Sequence, residues 1–435
     1  MNTRADSAMD IANEKPTLGA LTRLWAKIGV LSFGGPAAQI ALMHKLVVEK
    51  MHWMSEKEYL NALSFCMLLP GPEAMQLAAY AGWRSNGVIG GIIAGSLFVI
   101  PGAIVIMALA WIYAVYGNVP MIQALFLGVK AAVLIIVVEA LLKISKKALK
   151  TKNLYILAGL SFISIFFLNI PYPLIVLAAA IYGLFMARGK TQNAGQALVT
   201  RPEGFSALIK TVLAWLAIWL LPLFVIAYFT DQQILIEIGK FFSKLAVVTF
   251  GGAYAVLAYM GQDVVNYWGW LSPEEMMDGF GLAETTPGPL ILVTEFVGFL
   301  AGYKEAGLGL GVAAALITLW TTFIPCFLWI FAGAPYIEWI GAQPKLKSAL
   351  QAISAAVVGV ILNLSVWFAL HVMFDKVKLT SYGPVTLWQP DLASVDWRVA
   401  LLVTLCAILL LKLHWGIVRV LAISSLLGAA LVYLT

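Results

Sequence analysis

A Pro-Gly-Pro motif occurs twice in this chain, each time within an apolar stretch. Pro70-Gly71-Pro72 returns 217 positions later as Pro287-Gly288-Pro289. The same offset carries Ser32-Phe33-Gly34-Gly35 onto Thr249-Phe250-Gly251-Gly252. Proline and glycine interrupt helices, so two interruptions recur in one register. We therefore predict two copies of one unit, each with its helices broken at two places.

Composition places the chain in a membrane. Of its 435 residues, 61% are hydrophobic and 11% are charged, and the mean hydropathy is +0.90. A soluble domain carries about 25% charged residues. Apolar runs of about 20 residues recur, and they must be helices because lipid offers no partners to free backbone groups. The predicted fold class is an all-α polytopic membrane protein with broken or re-entrant helices.

The residue types also exclude several functions. Cys66, Cys326 and Cys406 lie in apolar runs and have neither a disulfide framework nor the spacing of a metal site. The chain has no phosphate-binding loop and no nucleophile elbow. We expect no enzyme activity, no metal, no cofactor and no nucleic-acid partner. If the chain is a transporter, it would then be driven by an ion gradient and not by its own ATP hydrolysis.

Four segments organise the chain. Residues 1–20 are expected to form a cytosolic tail without a removable signal peptide. The first repeat covers 21–187, a basic loop and an extra span cover 188–235, and the second repeat covers 236–435. In each repeat, the two short helices around Pro-Gly-Pro form either one broken span or a re-entrant hairpin. We expect a polar loop at 375–397.

The extra span, at about 205–229, sets the relative orientation of the repeats. An odd number of crossings between two like units turns the second unit upside down. The lysine cluster at 143–152 has no strongly basic counterpart, whereas the uncharged turn 117–119 corresponds to 341–347, which holds two lysines. By the positive-inside rule, the N-terminus, 143–152, 188–206 and 341–347 face the cytoplasm. Inverted-topology repeats with broken helices favour a secondary transporter whose site lies between them.

The breaks are the predicted anion site. A helix that begins at a break presents free N–H groups and roughly half a positive charge, which suit an anion. The alternative is that the breaks only kink helices for packing. Neutral polar side chains near the breaks could add hydrogen bonds. The predicted substrate-binding residues are Lys27, Ser32, Gly34, Gly35, Gln39, Gly71, Pro72, Gln76, Lys244, Thr249, Gly251, Gly252, Thr285, Thr286, Gly288 and Pro289.

Two lysines in that set supply positive charge. Lys27 and Lys244 share the offset of 217, and each precedes a Phe-Gly-Gly phenylalanine by six residues. A charge within a bilayer is a functional-site hypothesis by default. The alternative is that both side chains snorkel from helix ends. Lys130 lies within another span and could neutralise Glu139.

Three carboxylates flank the Pro-Gly-Pro breaks, namely Glu73, Glu284 and Glu295. Glu73 follows the first break at a helix N-terminus, where the helix dipole stabilises a carboxylate. A second interpretation is that these groups couple protons to transport, since a buried carboxylate can exchange protons near neutral pH. On that hypothesis, ionised Glu73 releases the anion, and protons are the coupling ion.

These motifs resemble a known family. Phe33-Gly34-Gly35-Pro36, and Leu69-Pro70-Gly71-Pro72 followed by Gln76-Leu77-Ala78, are similar to the first domain of the chromate ion transporter family. Phe250-Gly251-Gly252 and Thr286-Pro287-Gly288-Pro289 are similar to its second domain, in the long two-domain form. One departure is Ala258, where many members have a proline. The resemblance implies a bacterial inner-membrane protein that exports chromate, driven by the proton-motive force.

Other transport functions stay open on the sequence. Sulfate has the charge and tetrahedral shape of chromate, so sulfate or another oxyanion is an alternative substrate. An anion channel is a second alternative, because broken helices also build selectivity filters. A homodimer in the lipid bilayer is also left open.

Overall fold

The computed structural model describes residues 16–117, 119–187, 205–341 and 343–434. The predicted N-terminal tail up to residue 15 and most of the predicted basic loop at 188–206 lie outside the described residues. The described chain is almost entirely helical, and six helical stretches are long and apolar enough to cross a membrane. The all-α, multi-pass membrane fold predicted from composition is therefore confirmed.

The first unit is built from seven helices in the described residues. They are α1 (Leu18–Leu31), α2 (Gly35–Met43), α3 (Glu56–Cys66), α4 (Glu73–Tyr116), α5 (Pro120–Ala148), α6 (Lys152–Phe166) and α7 (Tyr172–Met186). A π-helix (His44–Lys50) extends α2. The extra helix α8 (Phe205–Phe229) follows.

The second unit repeats this order. Its helices are α9 (Gln233–Val248), α10 (Ala253–Gln262), α11 (Pro273–Thr285), α12 (Val293–Gly333), α13 (Ile337–Gly341), α14 (Pro344–Met373), α15 (Trp397–Ala407) and α16 (Ile417–Leu434). A π-helix (Asp263–Tyr267) extends α10, as in the first unit. Further short turns are 3₁₀ helices at Leu290–Leu292, Ala334–Tyr336 and Leu392–Ser394 and a π-helix at Ile408–Lys412.

The long helices α4 and α12 each consist of two arms that fold back on each other. Asn86 has φ −133° and ψ 29°, and Gly87 has φ 64° and ψ −156°. Ala306 and Gly307 repeat these angles closely, at −147°, 32°, 76° and −161°. The two arms of α4 then pack so closely that a Cβ on Gly82 would overlap the carbonyl of Gly90. The arms are 73–85 and 88–116 in α4, and 293–305 and 308–333 in α12.

Both Pro-Gly-Pro motifs lie at the tips of re-entrant hairpins. In the first hairpin, α3 enters and the arm 73–85 returns, because Arg84 at the end of that arm pairs with Glu58 at the start of α3, at 3.1 Å. In the second hairpin, α11 enters and 290–305 returns, and Lys304 pairs with Glu275. The structure thus selects the re-entrant alternative for the short helix pairs.

Matching capping boxes start both hairpins. Ser55 accepts from the amide of Glu58, and Ser272 accepts from the amide of Glu275, while each glutamate bonds back to its serine. Such a cap stabilises a helix end by about 1 kcal/mol. The same local device therefore recurs at the offset seen in the sequence.

The two units exchange their final hairpins. Helices α6 and α7 of the first unit pack on α14 of the second, and α15 and α16 of the second pack on α5 of the first. Glycines allow these close contacts: Gly359 meets Ala158 and Ser161, and Gly128 meets Ser424. The units therefore form one interlocked body.

The predicted polar loop at 375–397 is instead largely a small β-hairpin. Strands β1 (Val377–Tyr382) and β2 (Val385–Pro390) pair in antiparallel register, with Tyr382 opposite Val385. The turn needs Gly383, whose φ is +61°. Thr386 donates to the carbonyl of Phe167, so the hairpin binds the loop between α6 and α7. The alternation of valine and leucine with lysine and threonine was the overlooked strand pattern.

Candidate functional site

The four breaks meet in two reciprocal pairs. The Gly71 amide donates to the carbonyl of Thr249 at 2.9 Å, and the Gly288 amide donates to the carbonyl of Ser32 at 2.9 Å. The two bonds are related by the offset of 217 residues. Each Pro-Gly-Pro tip is thus joined to the Gly-Gly break of the other unit, and the breaks form one cluster.

The tips require glycine because of their backbone angles and their neighbours. Gly71 has φ +110° and Gly288 has φ +89°, which L side chains rarely adopt. A Cβ on Gly71 would lie 3.1 Å from the Cys326 sulfur, and one on Gly288 would lie 3.3 Å from Cα of Gly102. Gly102 and Cys326 occupy corresponding positions on the second arms of α4 and α12. The tips are therefore packed against the opposite unit.

Two buried glutamines hold the tips. Gln39 Nε2 donates to the Gly288 carbonyl at 2.6 Å and to the Ser32 carbonyl at 3.2 Å. Gln76 Nε2 donates to the Pro70 carbonyl at 2.7 Å. Backbone carbonyls can only accept, so the amide orientation is fixed. Among the described residues, neither Oε1 atom has a hydrogen-bond partner. In this conformation the glutamines therefore organise the breaks and present only acceptors.

The predicted hydroxyl donors are also engaged. Ser32 and Thr249 donate to carbonyls one turn earlier, those of Ile28 and Leu245. Thr285 and Thr286 likewise donate to Leu282 and Ala283. These hydroxyls thus form hydrogen bonds within the last turn of their own helices. Their role as direct ligands stays a prediction.

The first turns after the breaks supply the remaining donors. Helices α2, α4 and α10 follow the N-cap residues Gly34, Pro72 and Gly252, and none has a side-chain cap. Their first amides have no partner within the helix, which is the arrangement that binds anions. Gly34, Gly35, Gly251 and Gly252 retain some exposure, whereas Gly71, Pro72, Gly288 and Pro289 are buried.

Glu73 lies against the second Gly-Gly break. Its two carboxylate oxygens lie 3.4 and 3.5 Å from where a Cβ on Gly252 would be. Gly252 precedes the uncapped helix α10, so the carboxylate occupies a place where an anion would be stabilised. Lys147, in the lysine cluster, interacts with Glu73 electrostatically. Glu73 therefore links the first hairpin to the break of the other unit.

The other two carboxylates differ in their surroundings. Glu284 accepts from the hydroxyl of Tyr254, in the first turn of α10, at 3.0 Å. Glu139 interacts with both of these groups electrostatically. Glu295 is fully buried, and among the described residues neither of its oxygens has a hydrogen-bond partner. Glu284 thus belongs to the cluster near α10, and among the described residues no hydrogen bond or ion pair joins Glu295 to it. Sequence reasoning missed Tyr254.

The two predicted lysines lie at the surface of the protein. Lys27 and Lys244 are both exposed, and Lys244 lies over the ring of Tyr259 at 5.8 Å. Within the described ranges, no hydrogen bond or ion pair joins either lysine to a break. Glu139 pairs with Lys143 at 2.6 Å, so the suggested pairing of Lys130 with Glu139 is wrong. Among the described residues, no group of three or more His, Cys, Asp or Glu side chains could hold a metal ion.

Comparison with known proteins identifies the family. The family model described as chromate transporter matches residues 19–184 and 236–432, which correspond to the two units. A probable chromate transport protein of Synechococcus elongatus is 32% identical over 79% of this chain and 83% of its own length. A chromate transport protein of Cupriavidus metallidurans is 29% identical over 82% of this chain and 84% of its own length.

A shorter relative matches the length of one unit. The uncharacterized transporter YwrA of Bacillus subtilis is 28% identical over 35% of this chain and 88% of its own length. No solved structure matches the chain. The family model covers both units and most of the sequence, and the chain therefore belongs to the chromate transporter family.

Proposed function

We propose that this protein exports chromate across the bacterial inner membrane by alternating access, and that the anion binds at the cluster of four breaks. The observation that carries the proposal is the reciprocal pairing of each Pro-Gly-Pro tip with the other unit's Gly-Gly break. Membership of the family and the names of its relatives support chromate as the substrate.

Uncapped helix starts would supply the attraction for the anion. Each helix N-terminus carries roughly half a positive charge, so several starts in one cluster offset much of the charge of a dianion. Such fixed dipoles act more strongly where water is excluded. Lys27 and Lys244 lie farther out on α1 and α9 and would attract the anion toward the breaks.

We propose that the two units lie in opposite orientation across the membrane. Three points along the second arm of α4 support this. The arm starts at the open end of the first hairpin, Gly102 meets the tip of the second hairpin, and Tyr113 bonds to Asp278 nearer the second hairpin's open end. The hairpins thus enter from opposite ends of that arm. From the positive-inside rule, we place the N-terminus in the cytoplasm.

The electrical part of the proton-motive force suffices to drive export of a dianion. Moving one charge across 100 mV is worth about 2.3 kcal/mol, so two charges are worth about 4.6 kcal/mol. Ionised Glu73 competes with the anion for the start of α10, and its protonation favours binding. A proton that travels with chromate would halve the charge moved, so the slope of flux against membrane potential reports the coupling.

Two alternatives share the same geometry. Backbone amides bind sulfate as well as chromate, since both are tetrahedral oxyanions. An anion channel would use the same broken helices as a filter. A carrier saturates and shows counterflow of unlabelled substrate, whereas a channel does not exchange in this way.

The test is uptake of labelled chromate into inverted membrane vesicles under an imposed potential, with sulfate as competitor. We expect saturable uptake that needs the potential. Gly71→Ala and Gly288→Ala should abolish it, and Gly159→Ala, where a Cβ meets nothing within 4 Å, is the matched control. Equal uptake with and without the protein refutes chromate transport. Stronger inhibition by sulfate than by chromate itself favours the sulfate alternative.

A further inference from the structure

Among the described residues, Lys130 is the least exposed cation of the long helices. Among the lysine and arginine residues that the structure describes, only Lys130 and Arg398 are not exposed. Arg398 is held by Asp396 beside the small β-hairpin, outside the long helices. The Lys130 side chain, on α5, is only 19% exposed. A cation in this position is costly and needs a partner.

Its partner comes from the other unit. Lys130 Nζ lies 3.6 Å from Oδ1 of Asp278, whose side chain is 7% exposed. That oxygen has no hydrogen bond among the described residues, whereas Oδ2 accepts from the hydroxyl of Tyr113 at 2.8 Å. The tyrosine therefore orients the carboxylate, and the ion pair itself is loose.

The pair lies between the cluster of breaks and the open end of the second hairpin. Asp278 precedes Thr286 by eight residues on α11, which is about 12 Å at 1.5 Å per residue. Val129, next to Lys130, packs against Gly281 on the same helix. An anion that moves from the breaks toward this end of the second hairpin would therefore pass near Lys130.

The fold does not need charges at these positions. In the first hairpin the residue that corresponds to Asp278 is Asn61, by the offset of 217. The residue that corresponds to Lys130 is Ser354, by the offset of 224 that also aligns Pro101 with Pro325. Neutral side chains thus occupy the equivalent positions in the other half. The ion pair is a one-sided addition to a repeated scaffold.

We propose that Lys130 is a second oxyanion-binding residue and that Asp278 is the resident carboxylate that the oxyanion displaces. This inference rests on the proposed function. Both ligands are oxygen anions, so an arriving oxyanion takes over the ammonium group while Tyr113 retains Asp278 nearby. Lys130 is the cation that interacts with Asp278, and Glu274 is another carboxylate nearby. Glu275 is already paired with Lys304.

The test compares single and double variants of the full protein in detergent and in proteoliposomes. Binding and potential-driven flux of labelled chromate are measured for Lys130→Met, Asp278→Asn and the double variant. The matched control is Lys304→Met with Glu275→Gln, a pair at the hairpin's open end. Size-exclusion profiles and melting temperatures verify folding.

We expect Lys130→Met to weaken binding by about 10- to 100-fold, the range of a lost charge-assisted hydrogen bond. Asp278→Asn should tighten binding, because it removes the competitor. The double variant should remain as weak as Lys130→Met, and the control pair should bind like the wild type.

Two results would overturn the inference. A double variant with wild-type affinity and flux would show that the pair only holds the helices together. If Lys130→Met does not fold, unchanged affinity in Asp278→Asn refutes the competition. A wild-type protein that binds neither chromate nor sulfate would overturn the proposed function itself, which distinguishes the two failures.

Discussion

Replacement of Glu73 by glutamine tests how the cluster of breaks holds an anion. The carboxylate lies at the start of α10, beside Gly252, where an oxyanion would be stabilised. Glutamine keeps the shape of the side chain and removes its charge. We therefore expect Glu73→Gln to bind chromate more tightly and to release it more slowly.

The magnitude follows from the distance between the charges. Two unit charges 4 Å apart interact by about 1 kcal/mol in water and by about 4 kcal/mol at an effective dielectric constant of 20. The lower value alone is roughly a fivefold change in affinity. Glu73 is half-buried, so we expect a decrease in Kd of roughly fivefold or more.

The assay is equilibrium binding of labelled chromate to the purified protein over a range of pH. In the wild type, protonation of Glu73 removes the competitor, so affinity should rise as pH falls. In Glu73→Gln the affinity should be high throughout. Glu305→Gln, at an exposed carboxylate, is the matched control. An unchanged Kd together with an unchanged pH profile in Glu73→Gln would refute the reasoning.

Three further predictions concern the scaffold. Gln39→Leu leaves the buried Gly288 carbonyl without its side-chain donor and should destabilise the protein by about 1–3 kcal/mol in chemical unfolding, whereas the exposed Gln351→Leu should not. Tyr113→Phe keeps its ring contact with Phe296 but frees Asp278 Oδ2, so flux should change more than the melting temperature; the reverse ranking would make Tyr113 a packing residue. The Ser55 amide, helped by Arg84, lowers the pKa of Glu58 below its ordinary value of 4.5. Ionised Glu58 therefore contributes stability to the first hairpin above that pH, and this contribution is lost as pH falls through the lowered pKa. Glu58→Gln should remove this contribution from the pH dependence of melting curves, and an identical acid transition in both proteins would contradict it.

The sequence predicted the breaks because proline and glycine act locally. The breaks at Gly71 and Gly288 could be predicted from residue type and from the offset that the two glycines share. Whether the flanking helices cross the membrane or return could not be predicted, because it depends on the contact between Arg84 and Glu58, which are distant along the chain.

The charged residues show where sequence reasoning fails. Lys27 and Lys244 were favoured because they share an offset, yet they are exposed, whereas the side chain of Lys130 is only 19% exposed. Its partner Asp278 lies 148 positions away and in the other unit, so no spacing along a single helix could indicate the pair. Residues that recur in both units can be found from the sequence because they share an offset. A functional residue that occurs in only one unit can be recognised only in the folded structure.

The charged residues that occur in only one of the two units also bear on the direction of transport. A scaffold of two like units related by a twofold axis has two states of equal energy that this rotation interchanges, and it favours neither. Glu73 corresponds to Leu290, and Asp278 and Lys130 correspond to Asn61 and Ser354. Each departure places a carboxylate where an oxyanion would otherwise be stabilised, at the start of α10 and at Lys130. If the proposed orientation holds, these carboxylates distinguish the two sides of the membrane, since an anion meets Glu73 at the breaks and Asp278 only on the way to the second hairpin's open end. Exchange of the pair for its neutral counterparts, with Lys130→Ser and Asp278→Asn together, should therefore make the half-saturation concentrations of chromate for inward and outward flux more alike at zero potential. An unaltered ratio of these two concentrations would mean that the bias lies elsewhere in the scaffold.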